Sequence, residues 1–327
     1  MTRAQNKAAR LTQIEALLLA HPAGLIPAEI ARRLMVNRST ISRCLPDLPK
    51  HIYLDEDGRW KLDREAYLIH VRFNLHEALA LHLAARLLAA GMDRQNPHAG
   101  SALRKLGYAL EKLAPQISHH LSESASLLDS SSRRQDPGYL GALEKLTLAW
   151  AEGRKVKVWR RSDKTGLVHE YLFSPYFIEP SAVGRSTYAI GLREPPGEQR
   201  TFKIERLERV ELLREHYEIP PDFDPCALLA DAWGIWFTGA PPIQVTLRFH
   251  PRVAQRVRES VWHPSEQVQE QPDGGLIWRA QVAEPKEMLP WIRGWGSDCE
   301  VLEPKTLRES VAAEVRQCAL NYGWKLE

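Results

Sequence analysis

The spacing of the apolar residues changes along the chain, and that change excludes a single uniform fold. Up to about residue 152 the apolar residues recur mainly at helical intervals, as Leu11, Ile14, Leu17 and Leu18 do. Between about 155 and 215 the period drops to two. There "KVKVW", "EYLFSPYFIEP", "STYAIGL" and "RTFKIERL" are strand-like runs separated by turns. From Ile243 onward the two periods interleave. Strand "IQVTLRF" is followed by helix "PRVAQRVRESVW", a hairpin around Asp273-Gly274-Gly275, helix "PKEMLPWIRGW", strand "DCEVLEP" and helix "KTLRESVAAEVRQCALNY". This β-α-β-β-α-β order with a last helix predicts a C-terminal ferredoxin-like α/β domain. An α+β multidomain protein is therefore expected, and 327 residues suffice for two or three domains, each with its own core.

The first 63 residues have an order of their own. A helix runs from roughly Lys7 to Ala20, "HPAG" turns, and "IPAEIARRL" starts a second helix with Pro27 in its first turn. Asn37 is placed to cap a third helix, "RSTISRCL", which Pro46 stops. "HIYLDEDGRWKLD" then reads as a hairpin turning at Asp57-Gly58. Helix, helix, turn, helix, hairpin is the order of a winged helix-turn-helix. With Ile41 and Leu45 facing the core, Arg38, Ser39, Thr40, Ser42 and Arg43 are directed toward a DNA major groove. Arg32, Arg33 and Lys50 are placed to reach phosphates. Residues 1–50 hold 8 Lys/Arg against 3 Asp/Glu, the balance expected of a nucleic-acid-binding head. Small helical units of this kind also serve protein contacts.

Residues 74–113 are predicted helical, starting at a capping box of Asn74 and Glu77. The apolar stripe of "EALALHLAARLLAAG" is too broad for a lone surface helix and predicts packing between domains or across a dimer. "NPHAGSALRKLGYALEKLAP" is a second helix. The Ser-rich "SHHLSESASLLDSSSRRQDPG" reads as a loop or linker that carries His119 and His120 on its surface. "YLGALEKLTLAWAEG" is a further helix leading into the strands.

The strand region is the second basic module, with 12 Lys/Arg against 7 Asp/Glu over residues 154–210; the remainder of the chain is net negative. In "QRTFKIERLERV", Phe202 and Ile204 alternate like the buried side of a strand, and Arg200 and Arg206 share their parity. Arg160 follows Val156 and Val158 in the same way. An unpaired buried guanidinium is costly. These arginines therefore meet acidic partners such as Glu194, Glu198 or Glu205, or snorkel to water, or line an anion site suited to their bidentate fork. Two basic modules imply two separate anionic partners.

Catalytic signatures do not appear: there is no HExxH, GxSxG, GxxxxGK[ST] or strand-following GxGxxG. A non-enzyme without cofactor or metal is expected. Cys44, Cys226, Cys299 and Cys318 form no CxxC pair and read as reduced thiols. With no signal-peptide core and no membrane-length apolar run, a cytoplasmic protein is expected.

"GRKVKVWRRS", "SPYFIEP", "GRSTYAIGL" and "RTFKIERLERV" resemble the successive strands of a WYL domain. "VTLRFHP…WIRGWGSDCEVLEPKTLRESV" resembles the C-terminal extension called WCX, and "EALALHLAARLL" and "SALRKLGYAL" match the helical segment between head and sensor. Along nearly its whole length the chain is thus similar to the WYL-domain transcriptional regulators of bacteria. The resemblance implies a winged helix-turn-helix over 1–63, a helical linker or dimerisation region over 64–152, a Sm-like WYL barrel as sensor over 153–238, and WCX over 239–327. It further implies a homodimer on palindromic operator DNA and a nucleic-acid or nucleotide ligand, with links to DNA damage or phage defence in several members. Tyr188, Arg200 and Arg206 are candidate ligand contacts by the family pattern, and Lys203, Arg160 and Ser174 are added from strand parity and position. Tyr188 is equally readable as a core tyrosine with a satisfied hydroxyl. At the family's Trp-Tyr-Leu tripeptide this chain has Thr187-Tyr188-Ala189. The alternative function is a nucleic-acid-binding accessory module that modulates a partner effector enzyme.

Overall fold

The structure, a computed structural model, describes residues 3–64, 73–91, 93–130, 133–181 and 186–324. They divide into two compact units at Pro220.

The first unit begins with helices α1 (Arg3–Leu19), α2 (Pro27–Arg33) and α3 (Arg38–Cys44), a 3-10 turn (Leu45–Asp47), and the antiparallel hairpin of β1 (Ile52–Leu54) and β2 (Trp60–Leu62). Ile14, Leu18, Ile30, Ile41, Ile52 and Leu62 close one core beneath the three helices and two strands. The hairpin is tied down by Leu25, whose amide and carbonyl both bond Trp60. Gly24 permits this approach: its φ is +77°, and a Cβ there would lie 2.6 Å from Lys61 Cγ. At the turn between α2 and α3 the left-handed position is filled by Met35, with φ 52°.

Four helices follow: α4 (Leu75–Gly91), α5 (Pro97–Leu110), α6 (Pro115–Asp129) and α7 (Pro137–Glu152). Asn74 and Glu77 form the reciprocal cap expected at the start of α4, with amide-to-carboxylate and amide-to-carbonyl distances of 2.8 and 3.0 Å. α6 corrects the loop expected from its serines. Ser122 and Ser126 donate to the carbonyls one turn back, of Ser118 and Ser122, and Ser124 to that of His120. The serines are thus satisfied within a helix, while Leu121, Ala125 and Leu128 pack against Ala78, Leu103 and Leu110.

Next comes a five-stranded antiparallel sheet of β3 (Arg154–Arg161), β4 (Val168–Ser181), β5 (Ser186–Glu194), β6 (Glu198–Lys203) and β7 (Leu207–His216), in the order β6-β5-β4-β3-β7. The expected barrel is not closed, since among the described residues the edge strands β6 and β7 do not pair with each other. The reason is the 3-10 turn Ile204–Arg206 between them, which ends β6 and sends β7 to the far edge beside β3. α7 packs on this sheet. Its Tyr139, Ala142, Leu146 and Ala149 share a core with Val156, Val158, Phe173, Ala189, Phe202 and Ile204. Gly191 must lack a side chain, because a Cβ there would fall 2.0 Å from the Ser174 carbonyl.

The second unit holds α8 (Pro225–Leu229), β8 (Ile243–Phe249), α9 (Pro251–Arg258), β9 (Gln267–Glu270), β10 (Leu276–Val282), α10 (Leu289–Trp295), β11 (Cys299–Glu303) and α11 (Lys305–Asn321). Its sheet order is β11-β8-β10-β9 with every neighbour antiparallel. Phe249 and Trp278 anchor the core, with Trp233, Trp262, Trp291 and Trp295 packed against it. The segment leading into this unit is fastened by Glu287, whose carboxylate accepts from the amides of Gly234 and Ile235 at 2.9 and 2.7 Å. All four cysteines are free, and burial pushes the Cys299 thiol up to about 12. No helix of the described residues is long and apolar enough to cross a membrane.

Candidate functional site

The head leaves its expected DNA-facing basic residues exposed. Ile41 and Cys44 turn the buried face of α3 into the core, and Leu45 packs at its edge. Arg38, Ser39, Ser42 and Arg43 are left exposed and Thr40 half-buried. Arg32 and Arg33, in the last turn of α2, and Lys50 are exposed as well. None of these five cations pairs with an acidic side chain of the described residues. Ser42 donates to the Arg38 carbonyl at 3.1 Å. Arg10, Arg32, Asn37 and Thr40 line a shallow recess of about 560 Å³ at the turn. Arg10 reaches it from α1, a contribution that spacing within α2 and α3 does not reveal. Glu29, on the same helix as Arg32 and Arg33, feels both charges but forms its ion pair with Arg59. Its carboxylate accepts from the Ile26 amide, which holds its pKa below the usual carboxylate range, with Arg59 adding to the effect.

The second candidate site lies at one end of the five-stranded sheet. Register decides its composition: Arg160, at the end of β3, stands beside His169 of β4 on one side and Leu207 of β7 on the other. Arg206 immediately precedes Leu207, so a guanidinium from β3 and one from the 3-10 turn before β7 reach the same point. They meet Asp163, which lies on the loop between β3 and β4. Arg206 Nη1 donates to Asp163 Oδ2 at 2.9 Å, and Arg160 Nη2 donates to the same oxygen at 3.3 Å. Arg160, Ser162, Asp163, Lys164, His169 and Tyr171 line an open pocket of about 280 Å³ there. The His169 and Tyr171 rings stack at 6.3 Å with an interplanar angle of 27°.

Of the residues expected at a ligand site, Arg160 and Arg206 are brought together. Only Arg160 lines the pocket; Arg206 reaches its edge through Asp163, and the others lie away from it. Arg200 lies on Glu198, at 2.8 Å, which also takes Arg193. Ser174 is buried beside Gly191. Tyr188 and Lys203 are half-buried and face each other across β5 and β6. The parity that places Arg206 on the face of Phe202 and Ile204 fails, because the 3-10 turn at 204–206 interrupts the alternation. Its guanidinium is accordingly exposed. Asp163, Lys164, His169 and Tyr171 are additions from the structure. The only sequence signal for them is the turn "SDKTG" between two strands.

Thr187 and Glu205 have a different role. The Tyr139 hydroxyl and Thr187 Oγ1 are 3.1 Å apart, and the Thr187 amide donates to Glu205 Oε1 at 2.8 Å. Asp136 caps α7 through the Tyr139 amide and takes Arg94 at 3.0 Å. Burial pulls the Asp136 carboxyl upward, but the Tyr139 amide and the Arg94 guanidinium outweigh it and hold the pKa low. Burial raises the Tyr139 phenol. This polar cluster fastens α7 to the sheet, and it explains why a threonine serves at position 187.

A family model of the WYL domain matches residues 141–212, and one of the WCX domain matches residues 241–319. The chain carries a WYL domain followed by a WCX domain. The WYL match begins inside α7, in keeping with that helix sharing the sheet's core, and it contains both arginines and Asp163. A search of curated proteins returns no match. Among solved structures the chain is similar to proteasome accessory factor B/C (PafBC) of Arthrobacter aurescens, at 20% identity and a TM-score of 0.32 over 96% of this chain. The likeness spans 49% of that chain, about half its length. It is also similar to a CRISPR Cas-related protein, at 10% identity and a TM-score of 0.42, covering 78% of this chain and 75% of that one.

Proposed function

We propose that the protein is a ligand-responsive transcriptional regulator whose head, a winged helix-turn-helix, binds duplex DNA and whose WYL domain binds an anionic ligand. The observation that carries this reading is the exposed basic surface around α3. Arg38 and Arg43 project from the helix, Arg32, Arg33 and Lys50 flank it, and none of the five forms an ion pair among the described residues, although Glu29 lies close enough to Arg32 and Arg33 to feel their charge. A cation without a partner binds a phosphate backbone without first breaking an ion pair. The WYL sheet is open, and Arg160 in its pocket with Arg206 at the edge offers guanidiniums to a nucleotide or a nucleic-acid end. The WCX strand order is that of a ferredoxin-like domain.

The regulator acts as a cytoplasmic homodimer on a palindromic operator, since a two-fold protein reads a two-fold site. α4 supports this: Leu79, Leu83 and Leu87 are exposed along it, an apolar face that a partner copy would cover. Light scattering at micromolar concentration and moderate salt should report a dimer, and a monomer would remove this part of the reading. Ligand binding regulates only if it favours one orientation of the two heads over another. The experiment that tests the whole is selection of bound duplexes from a random pool by the purified protein. Recovery of one palindromic sequence is the expected result. Recovery of no sequence, together with a stable complex with a nuclease, would favour an accessory module that modulates a partner enzyme.

A further inference from the structure

Two guanidiniums on a single carboxylate oxygen are an anion site already satisfied from within. We propose that Asp163 is an internal competitor for the WYL pocket: it holds Arg160 and Arg206 until a phosphate-bearing ligand displaces it, and so sets the ligand concentration at which the sensor responds. The inference rests on the reading of this pocket as an anion site and adds its regulation.

The geometry suits displacement. Arg160 is placed by its pairing in β3, and Arg206 by the 3-10 turn that leads into β7, so neither backbone position depends on Asp163. The loop is also held without it. Ser162 Oγ accepts the amides of Lys164 and Thr165, the Ser162 amide donates to the Leu167 carbonyl at 2.8 Å, and Gly166 completes the turn at φ +70°. Only a side-chain rotation is needed to free the arginines.

The energetics point the same way. The side chains of Arg160, Arg206 and Asp163 are 37%, 53% and 63% exposed, and ion pairs this open to water contribute little to stability. A terminal phosphate carries more charge than a carboxylate and has three acceptor oxygens, so it can engage both forks at once. Lys164, on the same loop, adds a further cation to the pocket wall, and His169 with Tyr171 offers a flat aromatic surface to a base. An internal competitor of this kind reduces the affinity for every ligand of the pocket by one common factor, the fraction of time the arginines are free.

The test is the binding of a fluorescent adenosine monophosphate, and separately of a 5′-phosphorylated single-stranded octanucleotide, to the full chain at low salt. Wild type, Asp163→Asn, Asp163→Ala and the double variant Arg160→Ala/Arg206→Ala are compared, each with its melting curve. Removing the carboxylate should tighten both ligands by the same factor, about three- to tenfold, and the double variant should lose the mononucleotide. If the Asp163 variants bind as wild type or more weakly while the double variant loses binding, the competitor is overturned and the pocket reading stands. If wild type binds no mononucleotide, or the double variant binds it unchanged, the pocket reading fails and the competitor with it. Should Asp163→Ala prove unstable, the near-isosteric Asp163→Asn decides alone.

Discussion

In the head, Arg32, Arg33, Arg38, Arg43 and Lys50 face solvent outside any ion pair of the described residues; in the WYL domain, Arg160 and Arg206 rest on Asp163 and Arg200 rests on Glu198. Net charge does not distinguish the two regions, since 8 basic against 3 acidic residues in one and 12 against 7 in the other give the same excess. Pairing does. A free guanidinium contributes to polyanion binding at all times, at a strength set by salt. A paired one becomes available only to a ligand that outcompetes its partner. Under the proposed function, one region suits standing contact with DNA and the other a conditional response.

The largest effect that would break this comparison is at α3. Arg38→Ala with Arg43→Ala should cost about 1–3 kcal/mol of operator binding for each arginine that reads a guanine, measured by anisotropy of a labelled duplex. Unchanged affinity would remove the head from the account. Next in size is Tyr139→Phe, which gives up the bond to Thr187. It should lower stability by about 1 kcal/mol in a denaturant titration while leaving the mononucleotide affinity alone. A loss of ligand affinity there would mean that the polar cluster under α7 belongs to the sensor. Met35→Gly sharpens the head in the opposite direction. Relief of a left-handed methionine should stabilise the protein by about 0.5–1 kcal/mol with DNA binding intact. Met35 is 91% exposed, so a loss of DNA binding would instead identify it as a contact residue. Smallest in stability is Arg206→Ala. An exposed pair is worth about 0–1 kcal/mol, so the fold and operator binding should persist while ligand control disappears. Arg200→Ala should impair ligand control less, in line with its place on Glu198 outside the pocket lining. A drop of many degrees in the melting temperature of Arg206→Ala would make that arginine structural.

Much of the fold was legible because local signals agreed with tertiary packing. The turn residues Asp57-Gly58, the Asn74/Glu77 cap and Pro27 at a helix start each fall where the structure has the matching element. α6 was obscured by composition. Its serines suggested a loop, although Ile117, Leu121, Ala125 and Leu128 kept helical spacing, and burial against α4 and α5 decided the outcome. Arg206 was misplaced because parity assumes an unbroken strand, and a single 3-10 turn cancels it. The missing barrel closure has the same origin. Asp163 was legible only as a turn residue: its partners are set by the pairing of Arg160 with Leu207, a relation between strands far apart in sequence. Sequence reasoning found the arginines, and only the register showed what neutralises two of them.

The contrast between free and paired arginines is tested most directly by the salt dependence of operator binding. The slope of log affinity against log salt should be compared for wild type, Arg32→Ala/Arg33→Ala and Arg160→Ala/Arg206→Ala. The head variant should lose roughly 0.9 of slope for each phosphate contact removed, and the WYL variant should keep the wild-type slope. A slope that falls in the WYL variant and holds in the head variant would contradict the account, because the paired arginines would then be the ones that bind DNA.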